Sequence, residues 1–302
     1  MKSIHYSLFF VFSILLIACG GQQETAQQEE TMADTLQTEE ITLEQAWATD
    51  TVMRTPESVL YDEARDVIYV ANINGFNRES RDKDGDGFIA KLSPEGEVVE
   101  LEWVTGLNDP KGMGVHENTL FVADIDEIVA IDIETGEIQE KYAVEGASFL
   151  NDITVGDDGA VYTTDSDNDN IHMLAEGQVS TWMSDTALQR PNGLLMEGDQ
   201  LLLASAEGGF FAPIDPDSKA IGEPWVTEIP SADGIAKDEN GNYIVSCWVG
   251  EVYYVQADGT SQKILDTKAQ EINSADIDYA IEHQLLLVPT FNDNRVVAYT
   301  LN

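Results

Sequence analysis

The chain reads as an all-β protein, a six-bladed β-propeller with an N-terminal strand closing the last blade. One pattern recurs six times along it: an entry tripeptide, a short strand, a turn, and a strongly apolar strand. The entries fall at Glu57, Lys111, Asn151, Asn192, Asp233 and Ala275, with spacings of 54, 40, 41, 41 and 42 residues. A period near 41 filled with short strands, and no helical periodicity, fits four strands per blade around a central axis. A β-sandwich would not repeat a whole motif six times.

The first segment is not part of that repeat. Lys2 followed by the apolar run 8–17 has the order of a secretory signal, and the run is too short to span a bilayer. It ends in Leu16-Ile17-Ala18-Cys19, which resembles a bacterial lipobox with Cys19 as the lipidated residue. An ordinary cleaved signal or a buried helix is the alternative. The expectation is a protein of the bacterial cell envelope, on the periplasmic side or outer surface, touching the membrane only through acyl chains.

Residues 20–50 contain no Lys or Arg and accumulate Glu, Asp, Gln and Thr. Such a stretch buries too little apolar surface to offset its ordering entropy, so residues 20–41 read as an acidic, disordered tether and 42–302 as the propeller.

Within the propeller the apolar strands are 67–71, 120–123, 161–164, 201–204, 243–246 and 285–288, preceded by turn formers such as Asp157-Asp158-Gly159 and Glu239-Asn240-Gly241. The last blade supplies three strands, near 275–280, 284–290 and 295–301. Its fourth is expected from residues 43–49, covering an edge that would otherwise invite pairing with another chain.

Composition excludes some functions. With 56 acidic residues against 15 basic ones, the net charge of −41 repels a phosphate backbone, so nucleic acid is not a partner. No Gly-Lys-Ser or Gly-Lys-Thr marks a nucleotide loop. Of the two cysteines, Cys19 belongs to the lipobox, which leaves Cys247 unpaired in an apolar strand as a small core residue.

In a propeller the entry residues and the turns between second and third strands share one face. The turns 72–87, 124–127, 165–170, 207–209, 248–251 and 292–294 therefore form a rim around the ring Glu57, Lys111, Asn151, Asn192, Asp233 and Ala275. Four of the ring residues offer oxygen donors, the set that hard cations such as calcium prefer, and no histidine lies in the ring to suggest zinc. A merely polar channel is the competing reading, because Asn192-Gly193 and Asp233-Gly234 are also turn dipeptides.

The contexts Pro-Glu-Ser at Glu57, Phe-Leu-Asn-Asp at Asn151, Arg-Pro-Asn-Gly-Leu at Asn192 and Ala-Asp-Gly-Ile at Asp233 resemble the senescence marker protein, gluconolactonase and luciferin-regenerating enzyme family. More distantly they resemble the paraoxonases and diisopropylfluorophosphatases. The resemblance covers residues 52–302. It implies Glu57, Asn151, Asn192 and Asp233 as ligands of calcium or another divalent cation, which acts as a Lewis acid on a lactone or related ester. Asp233, or a water activated beside it, is then the base or nucleophile. Family members with sugar-lactonase activity commonly carry an arginine where Phe149 stands here, so a sugar-acid lactone is not specified.

Lys111, Phe149, Asp124 and Asp165 are substrate-channel candidates. Lys111 either presents a cation to substrate or neutralises Glu57 or Asp233. The rim carboxylates favour a neutral or cationic small molecule over an anionic one. The long first spacing places an insertion at the rim, where Asp82, Asp84 and Asp86 alternate as in the first part of a calcium loop, but Ser93 stands where the bidentate Glu belongs. Those residues either bind a second calcium or make hairpin turns. A non-catalytic envelope propeller that binds a ligand, with calcium in a structural role, is the alternative to the hydrolase.

Overall fold

A strand packed between two neighbouring sheets is buried on both faces and reads as an unbroken apolar run. The second strand of each blade behaves this way: in Tyr243–Cys247 and Leu285–Pro289 every residue is buried. The structure, a computed structural model, describes residues 40–75 and 83–302. The expected signal segment, the lipidation site Cys19, nearly all of the expected tether, and Asp82 lie outside them.

The described residues form six four-stranded sheets, antiparallel throughout, arranged as a six-bladed propeller, within a compact unit spanning Glu40–Asn302. Helical structure among them is limited to short 3-10 turns, and no helix is long and apolar enough to cross a membrane.

Five blades take their strands consecutively from the chain. The sixth combines Asp278–Ala280, Leu285–Pro289 and Val296–Leu301 with the N-terminal strand Leu43–Ala48, which pairs antiparallel with Val296–Leu301. The closing strand is therefore where strand counting put it. Trp47 on that strand donates its indole N–H to the carbonyl of Pro94 at 2.9 Å, which ties the closure to blade one as well.

The apolar core is a ring of clusters, one between each pair of adjacent blades. Val59, Ile68, Val70 and Phe88 of blade one meet Leu285, Leu287, Val296 and Ala298 of blade six. On the other side of blade one, Tyr69, Ile89 and Val104 meet Met113, Leu120 and Val129 of blade two. Each blade thus buries both faces. Cys247 is a fully buried free thiol in the cluster between blades four and five.

Candidate functional site

The innermost strands of blades one to five are Pro56–Asp62, Pro110–His116, Leu150–Val155, Pro191–Glu197 and Ala232–Lys237. In all five, the pairing with the second strand slips immediately after its first residue. The first residue out of register is Glu57, Lys111, Asn151, Asn192 or Asp233, and in blades two to five the next one, Gly112, Asp152, Gly193 or Gly234, is out of register with it. A bulge bends the strand and re-aims the extra side chain, and here five side chains are delivered to one cavity of about 310 Å³ at the propeller mouth.

Two glycines permit the approach. A Cβ on Gly193 would fall under 3.0 Å from the carbonyl oxygen of Asp233. One on Gly234 would overlap the Asp276 carboxylate. Both glycines lie within strands, so the dipeptides that resemble turns are points of close strand contact.

Electrostatically the ring is crowded. Glu57, Lys111 and Asp233 are all buried, and the Lys111 ammonium lies 3.6 Å from Glu57 Oε1 and 5.0 Å from the centre of the Phe149 ring. Glu57 Oε2 is buried without a hydrogen-bond partner. Burial pushes the Glu57 carboxyl above its ordinary range, and Lys111 partly pulls it back. Burial also holds Asp233 well above that range, reinforced by the charges of Glu57 and Asp152 and opposed by Lys111 and a hydrogen bond from Asn192. Asn151 commits its amide nitrogen to Ser166 Oγ at 3.2 Å, and Ser166 donates onward to the Pro191 carbonyl at 2.6 Å, which fixes the amide and leaves the lone pairs of its oxygen available.

One residue further along two innermost segments lies a second pair of carboxylates. Asp152 accepts the backbone N–H of Leu194 and Ile153, each at 2.6 Å, and burial pushes it up to about 7. Asp276 accepts the Ser58 hydroxyl at 2.6 Å and is raised by burial and then by the Asp152 charge. No group of three or more His, Cys, Asp or Glu side chains among the described residues is placed to hold a metal. The mouth ring is instead a mixed set of two carboxylates and two amides.

Of the four substrate-channel candidates, Lys111 and Phe149 line the cavity, and Asp124 and Asp165 do not. Both are fully buried and accept backbone N–H groups of their blade's entry loop: Asp124 from Asn108 and Asp109, Asp165 from Phe149. Their place at the ends of second strands puts them on the mouth face, but hydrogen bonding turns their side chains into the blade. Ala275 is buried and absent from the cavity wall, and Phe291, the residue before the sixth rim turn, lines it. In the blade-one insertion, Asp84 accepts the N–H of Asp86 at 3.3 Å and Asp86 accepts Asn74 Nδ2 at 3.1 Å, while Lys83 pairs with Asp126 at 2.5 Å.

Sequence reasoning missed Arg190 and Ser231, which line the cavity with Phe149. All three precede a ring residue by two positions, a periodicity that would have identified them. Arg190 and Ser231 hold left-handed backbone angles, φ 62° and 52°. The Arg190 guanidinium lies 5.5 Å from the Phe149 ring and pairs with Asp167 at 3.0 Å. Trp248 and Phe291 meet edge to face, 5.6 Å between centroids, on the same cavity. The wall therefore joins an aromatic surface to a polar floor.

No protein-family model matches this chain, and no curated protein matches it by sequence. Solved structures match its fold. The gluconolactonase of Xanthomonas campestris superposes with a TM-score of 0.65 at 15% identity, over 86% of this chain and 89% of that one. A catalytically inactive virginiamycin B lyase of Staphylococcus aureus, solved with quinupristin, superposes with a TM-score of 0.61 at 14% identity, over 87% of this chain and 100% of that one. The likeness to gluconolactonase-type propellers read from the ring residues is thus matched at the level of fold.

Proposed function

We propose that the chain is a metal-dependent hydrolase of lactone or related ester bonds, acting on neutral or cationic small molecules at the propeller mouth. The observation that carries this is the unpartnered, buried Glu57 Oε2 in the same cavity wall as Asn151, Asn192 and Asp233. A buried carboxylate oxygen with no donor is costly unless a cation completes its surroundings. Two carboxylates and two amides are the oxygen donors that calcium or another hard divalent ion accepts. Glu57, Asn151, Asn192 and Asp233 would hold such an ion, which supplies Lewis-acid polarisation of the carbonyl when bound.

The chain's own groups do the rest. Asp233 is placed to take the proton of an attacking water. Phe149, Trp248 and Phe291 exclude solvent and receive the apolar part of a substrate. The chain's net charge of −41 disfavours the approach of anions to the mouth. The gluconolactonase neighbour supports an enzymatic role, and the Cys19 lipobox supports attachment to the bacterial envelope.

The test is turnover of a panel of lactones and aryl esters with calcium and with chelator, in the parent and in Asp233→Asn. Activity lost both in chelator and in the variant supports hydrolysis. A folded, calcium-binding protein inert to every class would leave the propeller as a ligand-binding protein of the envelope.

A further inference from the structure

We propose that Lys111 is a built-in counter-cation of the mouth ring, competing with the divalent ion for Glu57 and Asp233 and so setting how tightly the ring binds it. The inference rests on the reading of this ring as the cation site. Blade two contributes an ammonium at the bulge position where blades one, three, four and five contribute oxygen donors. Lys111 is 1% exposed, so the charge is not there for solvent. It is held between Glu57 Oε1, 3.6 Å away, and the face of Phe149, 5.0 Å from the ring centre.

Two consequences follow from the charges. With neither a metal nor the ammonium, the buried Glu57 and Asp233 would repel one another without the cation that lies against Glu57. The tethered ammonium offsets part of that repulsion, so the propeller can fold without a bound ion. With a metal present, the same ammonium repels it across a poorly screened interior, where like charges a few ångströms apart interact far more strongly than in water. Removing the ammonium should therefore make the apo protein less stable and the ion more tightly bound. A residue that served only to fill space would produce neither change.

Calcium titration by calorimetry and thermal melting, each on the full chain, test this with Lys111→Met and Lys111→Arg. Methionine keeps the apolar stem and removes the charge; arginine keeps the charge. The expected result is at least a tenfold gain in calcium affinity for Lys111→Met, with Lys111→Arg within a few-fold of the parent. In chelator Lys111→Met melts below the parent, and calcium raises its melting temperature by more than it raises the parent's. A Lys111→Met protein that folds only with calcium present supports the proposal equally. If the parent binds calcium and Lys111→Met binds it no more tightly, or stays unfolded at every calcium concentration, the counter-cation role is wrong while the metal site stands. If neither parent nor variant binds, both fall.

Discussion

Substituting Gly193 by alanine tests whether the ring is assembled by close strand contact between blades four and five. The added Cβ would meet the Asp233 carbonyl oxygen under 3.0 Å, its carbonyl carbon at 3.1 Å and Gly234 Cα at 3.2 Å. All three atoms are backbone, so no side chain can swing aside and the two innermost strands must separate. Overpacking of this kind in a well-packed interior costs about 1–3 kcal/mol. For a domain of this size each kcal/mol moves the melting temperature by roughly 2–4 °C. The matched control is Gly156→Ala, whose Cβ would meet the Asp158 carboxylate at 3.0 Å, an exposed side chain that can give way by loosening its one hydrogen bond from the Ala160 N–H; its effect should stay within about 1 kcal/mol. Urea unfolding followed by tryptophan fluorescence measures both, and calcium titration of Gly193→Ala should show weaker binding, because the strand carrying Asn192 is pushed from the one carrying Asp233. A Gly193→Ala protein that unfolds at the same urea concentration as the control would refute the close-contact account.

Three further outcomes are expected. Burial raises Asp109 to about 6 and Asp152 to about 7, from an ordinary value of 3.8; folding therefore favours their protonated forms. That contribution is complete below about pH 4 and lost as pH rises through 6 and 7, so the protein in chelator should melt higher at pH 5 than at pH 8, and a flat profile would contradict it. Asp124→Ala should destabilise by roughly 2–4 kcal/mol, because two buried amides lose their acceptor, with KM for any turned-over ester unchanged; a raised KM at unaltered stability would return Asp124 to the substrate channel. Deleting residues 41–50 should lower the melting temperature of the whole ring by exposing the edge of blade six, and a truncated protein that melts like the parent would refute closure by the N-terminal strand.

The architecture was legible because its dominant constraint is linear in sequence. A strand between two sheets must be apolar throughout, so the second strands announced themselves at a constant period, and the missing fourth strand of blade six pointed to the N-terminus. The ring positions were legible for the same reason, as the entry residue of each repeat. What hid was direction. Asp124 and Asp165 occupy rim positions, yet entry-loop amides draw their carboxylates inward, and a position on a face does not say which way a side chain turns. Asp152 and Asp276 were missed because simple alternation sends the neighbour of a ring residue to the opposite side. The bulge sets Asp152 against the next blade, where it accepts the Leu194 N–H, and Asp276 precedes the short innermost strand of blade six. Asn192-Gly193 and Asp233-Gly234 were ambiguous because a glycine needed for a turn and a glycine needed for strand contact look identical in one sequence.

The most direct test is diffraction from crystals of the protein grown with calcium, collected at a wavelength where calcium scatters anomalously. An anomalous peak within coordination distance of Glu57, Asn151, Asn192 and Asp233 side-chain oxygens is the expected result. A calcium-saturated crystal with no peak at the mouth, or with its ion held elsewhere while these four side chains keep their places, would contradict the assignment of this ring as the cation site.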